Sequence, residues 1–485
     1  MRKFVLFSLL TLATAASGAG AETRPNVVLI MSDDQGWGET GYNGHPQLKT
    51  PVLDEMVRTG LRFDRFYAAS PLCTPTRVSV MTGRHANRSG AFSPNWSIRP
   101  EEITLAQVLR RAGYRTGHFG KWHLGPVKQA SPVNPARMGF EEYLSHDNYF
   151  EMNPPLSRNG APPEIVQGES SEIVVNAAVN FMRRVQRENP SHPFFIVIWF
   201  GSPHAPYSGK PEDLELYRDF PSANARGRFA EITAMDRAIG TFRAALRELE
   251  VAENTLVWFN SDNGIDPPDR SSVTYNGGWR GVKTELYEGG LRVPAIIEWP
   301  AVVRQPRVSS VIAVTSDIFP TVLDFLQLQS PAPDRPLDGI SLRPLIADNE
   351  MKARPSPVGF WKYPEAAERK NARWLDAELS RGTTPTVRNP AIQFENYHHP
   401  ESKTHDFGGQ AAWLNNRYKL LVGPGEYGPQ LYDLTRDPYE RHDLAPAHPD
   451  IVKSMSAEMK AWQRSVELSL SGHDYPPAQA GAAAP

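Results

Sequence analysis

The feature that most constrains this chain is the alternation of short apolar runs with amphipathic stretches. Asn26–Ser32, Tyr114–Phe119, Phe194–Phe200, Leu256–Asn260 and Pro294–Trp299 read as strands. Between them, Thr50 and Pro51 start a helix with Val52, Leu53, Met56 and Val57 on its apolar face, and Gly60 closes it. Thr104 opens another that ends at Gly113, and residues 172–187 and 228–250 are longer amphipathic segments. Strands that alternate with helices predict a mostly parallel α/β sheet covered on both faces. Past about residue 350 the pattern changes. Arg417–Val422 and Gln430–Leu434 read as strands around the turn Gly423-Pro424-Gly425, and Pro449–Leu470 as one long helix. This predicts an α/β domain over 22–350 and a C-terminal α+β subdomain over 351–472, with an antiparallel sheet and a long helix. A Pro/Ala-rich disordered tail is expected over 473–485.

The N-terminus carries Arg2 and Lys3, an apolar stretch from Phe4 to Ala16 and a small-residue site, Ala19-Gly20-Ala21. Residues 1–21 therefore read as a signal peptide with the mature chain starting near Glu22, exported to a bacterial periplasm or secreted. No stretch is long enough for a membrane span. A net charge of -2 gives no global basic field for nucleic acid. Asn87-Arg88-Ser89 and Asn95-Trp96-Ser97 match glycosylation sequons, which would carry no meaning in a bacterial host.

Ligands in open α/β sheets collect at the carboxyl ends of the strands. Four of the expected strands run into chemistry-bearing residues: Asp33-Asp34, then Gly120-Lys121-Trp122-His123, then Ser202-Pro203-His204, then Asp262-Asn263. If the strands are parallel, these clusters form one bowl. Asp33, Asp34, Asp262 and Asn263 are hard oxygen donors suited to Ca²⁺ or Mg²⁺, and no zinc-type Cys/His spacing is present. Two adjacent carboxylates also repel unless a cation lies nearby.

Cys73 is the single cysteine of 485 residues and has no intramolecular disulfide partner. It stands in Cys73-Thr74-Pro75-Thr76-Arg77. Pro75 suits a first helical turn, Thr74 or Cys73 can sit at its cap, and Arg77 adds a cation one turn on. That pattern describes an anion site with a reactive group at its centre.

The stretch Pro71 to Arg84 resembles the modification motif of type I sulfatases, in which the cysteine is oxidised to Cα-formylglycine before folding. Gly120-Lys121-Trp122-His123-Leu124-Gly125, His204-Ala205-Pro206, the segment Gly281 to Pro294 around Lys283, and Leu431 to Glu440 are similar to further segments of that family. The resemblance runs from about Pro25 to Leu444, with Phe119 standing where the family has a smaller residue. It implies an alkaline-phosphatase-like α/β/α sandwich. It also implies one Ca²⁺, favoured over Mg²⁺, shared by Asp33, Asp34, Cys73, Asp262 and Asn263. Arg77, Lys121 and Lys283 would surround the sulfate, and His123 and His204 would move protons. The family's polar sulfate contact is open among Ser145, His146, Asp147 and Asn148. Glu288 reads as structural.

The implied activity is hydrolysis of sulfate monoesters, with a sulfated carbohydrate as the expected substrate. One hydroxyl of the hydrated aldehyde would attack sulfur with Asp262 as proton acceptor. His204 or Lys283 would protonate the leaving alcohol, and His123 would deprotonate the second hydroxyl. A formylglycine-generating or anaerobic sulfatase-maturating enzyme is the implied maturation partner. The alternatives are a phosphate or phosphonate ester hydrolase of the same superfamily, and a catalytically dead polysaccharide-binding protein using Tyr397-His398-His399, Trp279 and Trp361. Loops over 266–280 and 360–410 are expected to build the substrate pocket, with Arg270 and Arg280 hinting at anionic neighbours.

Overall fold

A computed structural model describes residues 24–267, 275–386, 390–399, 407–424 and 428–475. The leader at 1–21, Glu22, Arg270, Gly425 and the stretch 476–485 lie outside them.

Ten strands form the main sheet, in the order Arg307–Ser309, Leu61–Phe63, Ala295–Glu298, Thr255–Ser261, Asn26–Ser32, Phe194–Trp199, Arg115–Lys121, Glu142–His146, Pro155–Arg158 and Glu164–Ile165. Its heart is parallel: Asn26–Ser32 pairs with both Phe194–Trp199 and Thr255–Ser261, and Arg115–Lys121 with Phe194–Trp199 and Glu142–His146. Ala295–Glu298, read from sequence as a further strand, runs antiparallel to its two neighbours. The central strands are buried on both faces, which is why they read as continuous apolar runs rather than alternating ones.

The helices match the expected segments to within a few residues. Pro51–Thr59 buries Leu53 and Met56, and its first free N–H groups, those of Val52 and Leu53, donate to Asp236 at 3.0 and 2.8 Å. Thr104 caps Leu105–Arg111 in a reciprocal capping box with Gln107. Ser170–Glu188 and Ala223–Glu248 pack on each other and cover one face of the sheet.

A separate antiparallel sheet follows, in the order Val358–Lys362, Gln410–Leu414, Tyr418–Val422 and Gln430–Asp433, with the helix Pro449–Leu470 against it. The tail expected from 473 is corrected in its first residues. Tyr475 is buried, donates to Glu102 at 2.5 Å and stacks beneath Arg99, and Asp474 pairs with Arg84. Among the described residues no helix is long and apolar enough to cross a membrane.

Candidate active site

The four parallel strands end on one side of the sheet, and their following loops carry the expected groups to one place. Asn26–Ser32 delivers Asp33 and Asp34, the latter at φ 69°, a left-handed turn that Asp tolerates. The adjacent helix Cys73–Thr82 is buried along its whole length. Cys73 is its first helical residue, and Leu72, rather than Thr74 or Cys73, is the cap. The side chain therefore sits at the positive end of the helix, with Arg77 one turn further on the same face.

Around Cys73 the charges interlock. The Cys73 Sγ lies 3.6 Å from Asp33 Oδ1 and 3.9 Å from Asp34 Oδ1. Lys121 Nζ donates to Asp33 Oδ2 at 2.5 Å and Lys283 Nζ to Asp34 Oδ2 at 2.6 Å. Arg77 donates to Asp262 Oδ2 at 2.8 Å, lies 3.7 Å from Asp33 Oδ2 and sits over the Trp199 ring at 5.0 Å. Asp262 Oδ1 accepts the Asp34 N–H at 2.9 Å. Asn263 donates to Asp34 Oδ1 at 2.8 Å while its own amide oxygen is buried without a donor. Three buried carboxylates thus face three cations, and their formal charges cancel.

This setting decides protonation. Burial pushes the Cys73 thiol well above its ordinary value, against the pull of Lys121 and Lys283, so the side chain is no ready thiolate. Burial also opposes the Asp34 carboxylate, but Lys283, foremost, and Lys121 outweigh it and hold the acid well below the usual range. For Asp262, burial and then Asp33 win over Arg77 and raise it. Burial keeps both histidines neutral, His204 down to about 3 despite Asp34, and His123 well below its ordinary value with Lys121 and Arg77 adding to the effect.

The two imidazoles are held differently. His204 Nδ1 lies 2.6 Å from the Ala205 carbonyl, so that nitrogen carries the proton in the neutral ring and Nε2 faces Asp34 Oδ2 at 3.7 Å. Tyr149 stacks on its ring at 4.4 Å. His123, at φ 54°, turns Nε2 to Asn95 Oδ1 at 2.9 Å and leaves Nδ1 buried without a partner.

The polar run 145–148 separates by contact. Ser145 bonds His118, and His146 bonds the Pro385 carbonyl and the Asn148 N–H. Asp147 accepts from the Val127, Thr383 and Thr384 N–H groups and the Thr384 hydroxyl at 2.6–2.7 Å. Asn148 alone of the four keeps a side-chain atom, Oδ1, without a partner. Asp147 is a fastening that sequence reading did not find: it ties the 383–384 segment to the rim of the bowl. Asn95 was missed too, since its motif pointed to a sequon. The other sequon residue, Asn87, is buried and donates to the Trp361 carbonyl.

Several expected pocket residues sit elsewhere. Arg280 is exposed and donates to the hydroxyls of Tyr432 and Tyr287 at 2.8 and 2.9 Å. Trp361 and Tyr397 are buried, His399 pairs with Glu368, and Trp279 is packed between Trp37 and Tyr439. These four are packing residues, and His398 is the exposed member of the expected set, which leaves no aromatic surface for a sugar platform among those five. Glu288 lies in a buried cluster with Lys419, Glu440 and Tyr67.

Among the described residues, ligand atoms of Asp33, Asp34 and Cys73 lie within 4.8 Å of one another. Hard oxygens and an orphaned amide oxygen fit a hard divalent cation. Asp262 stands one step back, with both oxygens engaged by Asp34 and Arg77.

The sulfatase family model matches residues 25–328. N-acetylgalactosamine-6-sulfatase of Sus scrofa is 34% identical over 72% of this chain and 71% of its own length. Arylsulfatase A of Homo sapiens is 30% identical over 92% of this chain and 89% of its own. In fold, the crystal structure of Ps i-CgsB in complex with k-i-k-neocarrahexaose superposes with a TM-score of 0.76 at 24% identity, covering 93% of this chain and 94% of that one.

Proposed function

This chain belongs to the sulfatase family of sulfuric ester hydrolases and has their alkaline-phosphatase-like fold; from that premise we propose that it removes sulfate from a sulfated carbohydrate, with Cys73 oxidised to formylglycine as its nucleophile. The observation that carries the reading is the convergence of Asp33, Asp34 and Cys73 with the buried cations Arg77, Lys121 and Lys283 at the strand ends. The carbohydrate substrate is suggested by the relative named for N-acetylgalactosamine 6-sulfate chemistry.

When hydrated, the aldehyde supplies two hydroxyls on one carbon, one to attack sulfur and one whose collapse expels sulfate. Ca²⁺ held by Asp33, Asp34, Asp262, Asn263 and the modified residue 73 would supply positive charge to the sulfate oxygens. Because the chain's own charges cancel, a dication leaves the bowl positive and selective for an anion.

The protein's own groups do the rest. Arg77 and Lys121 hold the sulfate oxygens through a planar fork and a point charge, fixed in advance by Asp262 and Asp33. Asp262 takes the proton of the attacking hydroxyl. Lys283 Nζ carries a spare proton and faces the bowl, which makes it the donor to the leaving oxygen. Neutral His204, with Nδ1–H committed to Ala205, orients that step. His123 Nδ1, buried and unpartnered, takes the proton of the second hydroxyl. The reading includes export through the leader at 1–21, maturation of Cys73 by a formylglycine-generating or anaerobic sulfatase-maturating enzyme, and division of the chain into 22–350 and 351–472.

Mass spectrometry of the Cys73 peptide from the native host tests this directly, with turnover of aryl sulfate and aryl phosphate followed in the same preparation. The expected result is an aldehyde at position 73, preference for the sulfate, and loss of turnover on chelation that Ca²⁺ restores. An active preparation with unmodified cysteine throughout would sink the proposal.

A further inference from the structure

We propose that Asn95 is a positioning residue for His123: it grips Nε2 and so leaves Nδ1 as the ring nitrogen that works on the reacting group. The inference rests on the role given to His123 above and deepens it.

The loop that carries Asn95 is pinned in place. The Glu395 N–H donates to the Asn95 carbonyl at 2.8 Å, and the Ser97 N–H to the Glu395 carbonyl at 2.9 Å. Trp96, between them, is buried. Asn95 itself adopts φ 66°, a left-handed conformation that Asn accepts at low cost. The result is an amide aimed at His123 from a rigid support.

The amide oxygen can only accept, and it lies 2.9 Å from His123 Nε2. Asn148 Nδ2 converges on the same oxygen at 3.3 Å, which orients the amide with its oxygen toward the imidazole. The Asn95 backbone N–H also lies 3.3 Å from Nε2. Were it to donate there, Nε2 would be bare and two lone pairs would meet at the shorter distance. The amide contact is the shorter of the two and assigns the proton to Nε2, at the cost of turning the Asn95 backbone N–H toward a protonated nitrogen. In a neutral ring Nδ1 is then the base, and it has no other partner. The helix that starts at Cys73 lies against the same turn, since the Thr74 hydroxyl donates to the His123 carbonyl at 2.9 Å.

The test combines nitrogen NMR of histidine-labelled, metal-free protein with steady-state kinetics. His123→Ala assigns the His123 ring signals. The wild type is expected to show the Nε2–H tautomer. Asn95→Gly, which removes the amide while keeping the left-handed turn, should shift the ring toward Nδ1–H and lower kcat about tenfold with KM within about twofold. Asn95→Asp keeps an acceptor at Nε2 and should restore most of the rate. A wild-type ring protonated on Nδ1, or an Asn95→Gly variant with unchanged tautomer and turnover, overturns the assignment. Wild-type turnover in His123→Ala would instead overturn the catalytic role of His123, and the tautomer result then decides on Asn95 by itself.

Discussion

Two buried charge clusters in this protein look alike on paper and behave differently. At the strand ends, Asp33, Asp34 and Asp262 face Arg77, Lys121 and Lys283. At the seam with the C-terminal sheet, Glu288 and Glu440 face Lys419 and Arg292. Both are largely buried and formally balanced. The seam cluster pairs its charges within itself, with Glu440 Oε1 meeting Lys419 as an ion pair only. Lys419 reaches Glu288 at 3.1 Å and Glu440 at 2.9 Å, the Tyr67 hydroxyl donates to Glu288, and the Glu288 N–H donates to Glu440. The strand-end cluster surrounds a reactive side chain and leaves Asn263 Oδ1, His123 Nδ1 and Asn148 Oδ1 buried and unpartnered. Buried polar atoms without partners cost stability. Such atoms occur elsewhere too, Glu440 Oε1 at the seam among them, so what sets the strand-end cluster apart is the Cys73 side chain held against its carboxylates.

Substitutions should separate the two clusters, and Cys73→Ala gives the largest contrast. It should reduce sulfate ester turnover to the uncatalysed background while costing about 1 kcal/mol of stability, measured by activity assay and denaturant titration. Wild-type turnover in that variant would refute the nucleophile assignment. Lys419→Met is the mirror experiment. It strands Glu288 and Glu440 in the seam and should cost about 3–5 kcal/mol in urea unfolding, with specific activity of the folded fraction unchanged. A large loss of kcat with intact stability would erase the distinction.

The smallest effect concerns a neighbouring part of the seam. The His85 N–H donates to Asp338, which also binds Arg88 and the Trp462 indole on the long C-terminal helix. Burial pushes His85 down to about 4 from an ordinary 6.5, with Asp338 opposing. The folded value is depressed, so the neutral ring's contribution is complete above 6.5 and is lost as pH falls through the window toward 4. The loss should approach about 1.4 kcal/mol per pH unit within it. Thermal or urea unfolding between pH 7 and 4 should show that slope in the wild type and a shallower one in His85→Gln.

Much of the architecture was readable because burial on both faces writes itself into composition. Phe194–Trp199 is apolar end to end, and Asn26–Ser32, apolar between its terminal residues, was legible to the residue. The helices were legible through period and caps, as Thr104 illustrates. The antiparallel setting of Ala295–Glu298 was not, because a fully buried strand reads the same in either direction. The partners of Arg280 were not legible for a related reason: the hydroxyls it meets belong to Tyr287 and Tyr432, and Tyr432 lies 152 residues away in sequence.

Residue types and their spacing were enough to say that hard oxygen donors and cationic groups would collect where parallel strands end; that Cys73 would stand among them came from the resemblance to sulfatases. Folding alone chose the companions of those groups: Asn95 against His123, Asp147 against a segment more than two hundred residues away, Asp262 turned toward Arg77. The reason is physical. Local periodicity records which side of an element avoids water, whereas the partner of a buried polar atom depends on which distant loops arrive at the same place.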